Sequence, residues 1–219
     1  MNKISEEGLK ELISMEGVRY QVYDDRTGKT VGSYSQVMGY PTIGVGHLIT
    51  SKQRSSFNAY LGGGRKLSQY QVMELLKKDV KRFEDPINKK LNKPVTQSMW
   101  DAMISLAFNA GANSYAVKNA INAINTEDYE GAAKAILNGP TKSKGKVLSG
   151  LVKRRKREAL MFLRDGLPGS MVSKVAVGLG LFSVLGLSAF FGTRYVKEHG
   201  LPELKMPTLP IGATNKEKE

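Results

Sequence analysis

The sequence predicts an α+β fold: a small N-terminal lobe with a short β-hairpin sheet and a larger all-helical C-terminal lobe. A single transmembrane helix is predicted to follow them in the chain. Three observations predict this organisation. Residues 18–48 alternate and are rich in Tyr, Val, Thr and Gly, as two or three short strands would be. From Thr96 onward apolar residues recur at helical spacing. Residues 175–193 contain no charged side chain. A small β-containing lobe next to a helical lobe also predicts a cleft between them.

Composition narrows the function classes. The chain has 219 residues, 41% of them hydrophobic, which suits one ordinary domain with an extension. It has no cysteine, which excludes disulfides, thiolate metal sites and a cysteine nucleophile. The start, MNKISEEGLK, lacks the apolar run of a secretory signal. The net charge of +13 favours a polyanionic partner. We expect the basic residues at 153–157 to meet envelope polymers or lipid headgroups rather than nucleic acid.

The first helix carries an unexpected carboxylate. Ser5 is placed to cap it, and Gly17 to end it. Leu9, Leu12 and Ile13 form one face, and Glu16 occupies the next position on that face. A carboxylate there loses hydration and lies at the negative end of the helix dipole, and both effects favour its neutral form. A neutral carboxyl group can act as a general acid.

Asp25 provides a second carboxylate in the opposite environment. It lies nine residues after Glu16, in a polar Asp-Asp-Arg-Thr-Gly turn where a carboxylate stays ionised. One protonated and one ionised carboxyl group are what glycoside hydrolysis requires. Taken alone, these residues are more typical of a solvated helix end and an ordinary turn than of a catalytic pair.

The remaining elements are helical. A long helix begins after Ser68, with Gln71 placed for a capping box, and Pro86 and Pro94 are expected to limit its length. Thr126 is expected to cap the helix of TEDYEGAAKAIL. SGLVKRRKREALMFL, residues 149–163, is a last amphipathic helix with a basic side.

The C-terminal part of the sequence is predicted to be a membrane anchor. Nineteen uncharged residues lie between Lys174 and Arg194. As a helix they would extend about 28 Å at about 1.5 Å per residue, close to the hydrocarbon thickness of a bilayer. The predicted organisation is therefore a soluble domain at 1–166, a linker at 167–171, a transmembrane helix at 172–193 and a mostly disordered tail at 194–219. The alternative is a buried helix of the soluble domain.

Several ordered motifs resemble the phage-type lysozymes, glycoside hydrolase family 24. EGVRYQVYDD (16–25) keeps the family's spacing of a Glu, eight residues and an Asp, and YPTIGVGHLIT (40–50) contains its Thr-Ile-Gly-x-Gly-His block. SMWDAMISLAFNAGANSY (98–115) resembles its Phe-Asn-x-Gly helix, and 149–163 its closing Gly-Leu-x-x-Arg-Arg-x-x-Glu helix. The resemblance implies a lysozyme-like fold and a muramidase, an enzyme that cuts the β-1,4 bond between N-acetylmuramic acid and N-acetylglucosamine of peptidoglycan.

The resemblance also implies residue roles. Glu16 would be the general acid, Asp25 the second carboxylate, and Thr42 a residue that helps to hold the nucleophilic water. Arg154 would approach Glu16 and favour its ionised form, against the effect of burial. The other implied positions are a structural pair, His47 with Asp79, and three residues that line the sugar cleft, Leu48, Phe108 and Asn109. Phe108 is equally compatible with a place in the core.

One departure from the family pattern lies beside these residues. Sixteen residues, 26–41, separate Asp25 from Thr42, more than the family usually has. This insert leaves open whether Asp24 or Asp25 is the second carboxylate. We expect it either to contact the glycan or the peptide stem, or to be a neutral surface loop.

The function expected from the sequence is that of a membrane-anchored phage muramidase. It would act on peptidoglycan from the virion membrane or the host inner membrane, in cell-wall penetration or in lysis. An inactive peptidoglycan-binding or structural protein of the virion is the alternative, and a lytic transglycosylase is a third candidate. No metal or organic cofactor is implied, because this hydrolysis uses carboxyl groups and water.

Overall fold

The computed structural model describes residues 1–168. The predicted transmembrane helix at 172–193 and the tail at 194–219 lie outside the described residues, as does the predicted linker from residue 169. Within 1–168, no helix combines the length and the apolar composition that a bilayer crossing requires.

The first helix, α1, spans Glu6–Glu16 and ends as the sequence predicts. The Ser5 side chain caps it by accepting a hydrogen bond from the Gly8 N–H. Gly17 follows at φ 77°, a left-handed conformation that favours glycine, and its N–H donates to the carbonyl of Ile13. Leu9 and Leu12 are buried, so the predicted apolar face anchors α1 and places Glu16 at its end.

Three short strands form the predicted sheet. They are β1 (Arg19–Asp24), β2 (Pro41–Gly44) and β3 (His47–Leu48), antiparallel in the order β1-β2-β3. Tyr23 pairs with Thr42, and Thr42 pairs with Leu48 on its other side. The register therefore places Thr42 in the middle strand, next to the end of β1 where Asp25 follows.

The insert between β1 and β2 is packed against the following segment. Val31 is 5% exposed; its N–H donates to the Val22 carbonyl, and its own carbonyl accepts from the Gly62 N–H. The Tyr34 hydroxyl, in a 3-10 turn (Tyr34–Gln36), donates to the Arg54 carbonyl at the start of helix α2 (Arg54–Phe57). Two further 3-10 turns, Ser51–Gln53 and Asn58–Tyr60, flank α2.

Helix α3 spans Gln69–Lys90 and begins with the predicted capping box of Ser68 and Gln71. The expectation that Pro86 limits it was wrong, since the helix continues through Pro86. Proline removes one backbone hydrogen bond and crowds the preceding turn. Here Phe83 and Ile87 are buried on either side of Pro86, so the turns before and after it both contribute to the core.

The C-terminal lobe contains helices α4 (Gln97–Ala110), α5 (Tyr115–Asn125), α6 (Tyr129–Leu137) and α7 (Ser149–Leu163). Every residue of α4 from Ser98 to Ala107 is buried, so α4 is the central helix of this lobe. Asp128, not the expected Thr126, caps α6 with its side chain, because Thr126 is still taken up by the C-terminal end of α5.

The prediction of an all-helical C-terminal lobe was wrong at one place. A small hairpin of β4 (Lys142–Ser143) and β5 (Lys146–Val147) precedes α7. Its two turn residues, Lys144 and Gly145, have φ of 49° and 78°. Positive φ at both central residues is typical of the two-residue turns that match the twist of a hairpin.

Candidate active site

Glu16 lies at the C-terminal end of α1, and its carboxylate meets an arginine from the other lobe. Its Oε1 lies 2.5 Å from a terminal nitrogen of Arg154 on α7, and its side chain remains 27% accessible. The expected desolvation on an apolar face is therefore not what defines this carboxylate. The helix turns its last residue outward, and the guanidinium provides the main local charge.

Arg154 is itself buried, at 8% exposure, and is held on several sides. Its Nε donates to Glu158 Oε1 at 3.0 Å, and a terminal nitrogen donates to the Ser105 carbonyl at 3.2 Å. Ser105 lies on the buried helix α4, so Arg154 joins α1, α4 and α7 at one point.

Glu158 and Arg155 form a fully buried ion pair next to Arg154. Arg155 Nε lies 2.9 Å from Glu158 Oε2, and the Ser105 hydroxyl donates to Glu158 Oε1 at 2.7 Å. Burial raises the pKa of Glu158, against the opposing effect of Arg155 and of the hydrogen bonds that it accepts. Burial also lowers the pKa of Arg155, which Glu158 opposes.

An open cavity of about 750 Å³ lies beside Glu16 and Arg154. Residues of the helical lobe form most of its wall, among them Asn109, Leu148 and Lys153. Asn109 is exposed, and its Oδ1 accepts from Arg155 at 3.0 Å. Among the described residues, those that line this cavity do not include the predicted site residues Asp25, Thr42 and Leu48.

Asp25 and Thr42 lie together on the sheet side. Asp25 is exposed, and one of its carboxylate oxygens accepts from the Tyr40 N–H at 2.6 Å. The Thr42 hydroxyl donates to the Tyr40 carbonyl at 3.1 Å. The main chain of Tyr40, a residue that the sequence did not single out, therefore links Asp25 to Thr42.

Asp24 has a different set of partners from Asp25. It is 1% exposed, and its carboxylate accepts hydrogen bonds from Gly39 N, Thr27 Oγ1, Arg26 N and Met38 N at 2.8, 2.9, 3.2 and 3.3 Å. Burial raises the pKa of Asp24, but these four donors outweigh it and leave the pKa below its usual value. The Asp24 carboxylate thus joins residues near the two ends of the insert through hydrogen bonds. The Asp25 carboxylate, in contrast, is exposed to solvent.

Tyr23 connects the two carboxylates electrostatically. Burial raises the pKa of the Tyr23 hydroxyl; Arg19, whose guanidinium lies 5.4 Å from the ring centroid, opposes the rise, and Asp25 and Glu16 both add to it. Glu16 at the end of α1 and Asp25 after the end of β1 thus both favour the protonated form of the Tyr23 hydroxyl.

His47 and Asp79 contact each other away from Glu16. His47 Nδ1 lies 2.8 and 3.0 Å from the two Asp79 carboxylate oxygens, and His47 Nε2 lies 3.3 Å from the Gln53 amide nitrogen. The His47 ring also lies 5.6 Å from that of Phe57. The histidine therefore joins β3 to α3, as a structural residue would.

The remaining predicted positions differ in exposure. Leu48 is 45% exposed on β3. Phe108 is half-buried, and its ring centroid lies 5.5 Å from that of Phe83 on α3, so it contributes to the packing between helices. The sequence analysis missed the buried Arg155–Glu158 pair as part of the site. The sequence does contain a sign of this pair, because Arg155 and Glu158 are three residues apart and such residues lie on one face of a helix.

The chain is similar to lysozymes and endolysins of phages and to a further muramidase domain. A family model described as phage lysozyme matches residues 13–158. The endolysin of Salmonella phage P22 is 34% identical over 163 residues, which are 74% of this chain and 99% of that protein. A crystal structure of a P22 lysozyme mutant matches with a TM-score of 0.57 and 32% identity, over 74% of this chain and 99% of that one. The muramidase domain of SpmX from Asticaccaulis excentricus matches with a TM-score of 0.55 and 25% identity, over the same shares.

Proposed function

This chain belongs to the phage lysozyme family, and we propose that it cuts the β-1,4 bond between N-acetylmuramic acid and N-acetylglucosamine with Glu16, Asp25 and Thr42. It is a glycoside hydrolase of the muramidase type. In the proposed reaction, Glu16 donates a proton to the glycosidic oxygen, and Asp25 and Thr42 hold the attacking water.

The contacts of Glu16 suit the role of an acid. Oε1 meets Arg154, which leaves Oε2 for the substrate. The side chain is partly accessible at the edge of the cavity, so a glycan can reach it. A bound glycan would place its glycosidic oxygen beside this open edge, within reach of a proton from the carboxyl group.

The contacts of Thr42 and Asp25 suit a water-binding pair. The Thr42 hydroxyl donates its hydrogen bond to the Tyr40 carbonyl, so the lone pairs of its oxygen can accept a hydrogen bond from water. Asp25, ionised, is also an acceptor, and the Tyr40 N–H stabilises its charge. A water that donates one hydrogen to each directs its lone pair outward, towards an anomeric carbon. This arrangement predicts hydrolysis with inversion.

The observation that supports the proposal most strongly is the position of Glu16. Its partly accessible carboxylate lies at the edge of the cavity of about 750 Å³, where the buried Arg154 holds it. A carboxyl group that protonates a glycosidic oxygen must be reachable and held in place in this way.

A clearing assay tests the proposal. Turbidity of permeabilised Gram-negative cells is followed with the wild type and with Glu16→Gln, which we expect to lower the rate by at least about a hundredfold. Glu7→Gln is the matched control: Glu7 also lies on α1 and pairs at 2.6 Å with Arg164, the residue that follows α7, but does not line the cavity. We expect the control to clear at the wild-type rate. Equal clearing by all three proteins would remove the mechanism.

The products separate hydrolysis from transglycosylation. Mass spectrometry of the released muropeptides should show a reducing N-acetylmuramic acid, one water heavier than the 1,6-anhydro form. Proton NMR early in the reaction should show the α-anomer first if the attack inverts. A 1,6-anhydro product would contradict the role of Asp25 and Thr42 in holding water.

We further propose that residues 172–193 anchor the enzyme in a lipid bilayer, in the virion or in the host inner membrane. The support is the run of nineteen uncharged residues between Lys174 and Arg194. The full chain, expressed in bacteria, should remain in the membrane pellet after an alkaline carbonate wash, and a chain ending at residue 168 should not. Release of the full chain by carbonate would contradict the anchor and leave the muramidase proposal intact.

A further inference from the structure

A line of contacts runs from Glu16 to Asn109 through the interior of the helical lobe. Glu16 meets Arg154, Arg154 donates to Glu158, Glu158 pairs with Arg155, and Arg155 donates to Asn109, with every link between 2.5 and 3.0 Å. Both ends of the line border the cavity, and its middle is buried. The proposed acid and an exposed amide of the cavity wall therefore share one support.

The line is balanced in charge. It contains two guanidiniums and two carboxylates, and the three innermost groups are at most 8% exposed. Charges in such a site are poorly screened by solvent, so each of them affects the others strongly. Ser105 fixes the arrangement from α4, because its hydroxyl donates to Glu158 and its carbonyl accepts from Arg154.

We propose that Glu158 and Arg155 are positioning residues that hold Arg154 against Glu16 and together set the pH at which Glu16 gives up its proton. The inference rests on the proposed function, in which Glu16 is the general acid. Without Glu158, Arg154 would lose the acceptor of its Nε. Without Arg155, Glu158 would keep Arg154 as its one charged partner among the described contacts and would draw it away from Glu16.

The charge balance gives the two residues opposite effects. Replacing Glu158 by Gln leaves two guanidiniums facing one carboxylate, which favours ionised Glu16. Replacing Arg155 by Gln leaves one guanidinium between two carboxylates, which favours protonated Glu16. Other charged or titratable groups near this line are Tyr23 from β1, Tyr115 from α5, and Lys153 and Arg157 from the cavity wall. Arg157 in turn pairs with Glu11 of α1.

The experiment is a pH profile of kcat/KM, taken from initial clearing rates at low substrate and expressed as a ratio to the wild type at each pH. The alkaline limb of such a profile reports the acid in the free enzyme. We expect Glu158→Gln to move this limb by about one pH unit to lower pH, and Arg155→Gln to move it by a similar amount to higher pH. The double variant restores the balance, so its limb should return close to that of the wild type.

Glu84→Gln is the matched control. Glu84 is also a buried carboxylate, at 8% exposure, but it lies on α3 and accepts a hydrogen bond from the Ile4 N–H. Its replacement should lower thermal stability without moving the limb. A residue of merely structural importance would behave like this control.

If the alkaline limbs of wild type, Glu158→Gln and Arg155→Gln lie at the same pH, the inference is overturned. The charges of the buried pair would then have no effect on the protonation of Glu16. If Glu158→Gln does not fold, the limb of Arg155→Gln decides alone, since it must move to higher pH. Glu16→Gln keeps the two proposals separate. If it is inactive while the limbs coincide, only the positioning role fails; if it is fully active, the proposed function fails first.

Discussion

Replacing Arg154 by Met should lower the stability of the domain far more than the same change at Arg164. Arg154 lies on α7 and Arg164 directly follows that helix, and each pairs with a glutamate of α1. They differ in burial: the Arg154 side chain is 8% accessible, whereas Arg164 and its partner Glu7 are 38% and 66% accessible. The pair of substitutions therefore isolates the effect of burial.

The expected cost follows from the contacts of Arg154. Its guanidinium donates to two carboxylates and to the Ser105 carbonyl. Glu16 is accessible and regains water, but Glu158 is fully buried and loses a charged donor that water cannot replace. Loss of one partner from a buried pair costs about 3 kcal/mol, and less than about 1 kcal/mol for an exposed pair. For a domain of this size, about 3 kcal/mol corresponds to a Tm lower by roughly 6–12 °C.

Thermal unfolding of the 1–168 chain, followed by circular dichroism at neutral pH, measures the difference. We expect Arg154→Met to unfold well below the wild type and Arg164→Met to unfold within about 3 °C of it. Equal shifts in the two variants would show that burial of Arg154 does not determine its contribution. In that case the interior line of charges would not be the support that the structure suggests.

Three further predictions concern the sheet side. The pKa of Asp24 is lowered in the folded state, so its carboxylate contributes to stability above about pH 3.8. This contribution is lost as the pH falls from 3.8 through the lower pKa of the folded state. The Tm difference between wild type and Asp24→Asn should therefore disappear over that pH range. Val31→Ala should reduce the free energy of unfolding in urea by about 2 kcal/mol, because Val31 is buried; no change would show that the insert is only a surface loop. The pKa of Tyr23, measured by NMR of its ring carbons, should lie above 10.0 and should fall in both Glu16→Gln and Asp25→Asn; a fall in only one would show that the two carboxylates do not both act on this hydroxyl.

The sequence predicted the features that depend on local pattern. Residues within a few positions of each other decide the cap at Ser5, the helix end at Gly17 and the capping box at Ser68, and the structure confirms all three. The three strands also follow from local alternation. Pro86 was misjudged because the outcome depends on tertiary packing, which places buried residues on either side of it.

The environment of Glu16 could not be predicted from local pattern. The apolar spacing of α1 placed Glu16 on a buried face, but the structure shows an accessible carboxylate paired with a residue 138 positions away. The same holds for Asp24 and Asp25, which are adjacent in sequence. The four donors that engage Asp24 come from both ends of the insert, and only the folded insert shows that Asp25 is the carboxylate left in solvent.

The two halves of the proposed site are supported separately, and this has a consequence for its mutants. Glu16 is held from the helical lobe through Arg154, whereas Asp25 and Thr42 are held by the sheet and by the main chain of Tyr40. Gly17 begins the short connection between them. A change in the buried charge line should therefore move the alkaline limb, which reports the acid. A change that releases the insert, such as Asp24→Asn, should lower kcat without moving that limb, because it disturbs the position of the water and not the protonation of Glu16.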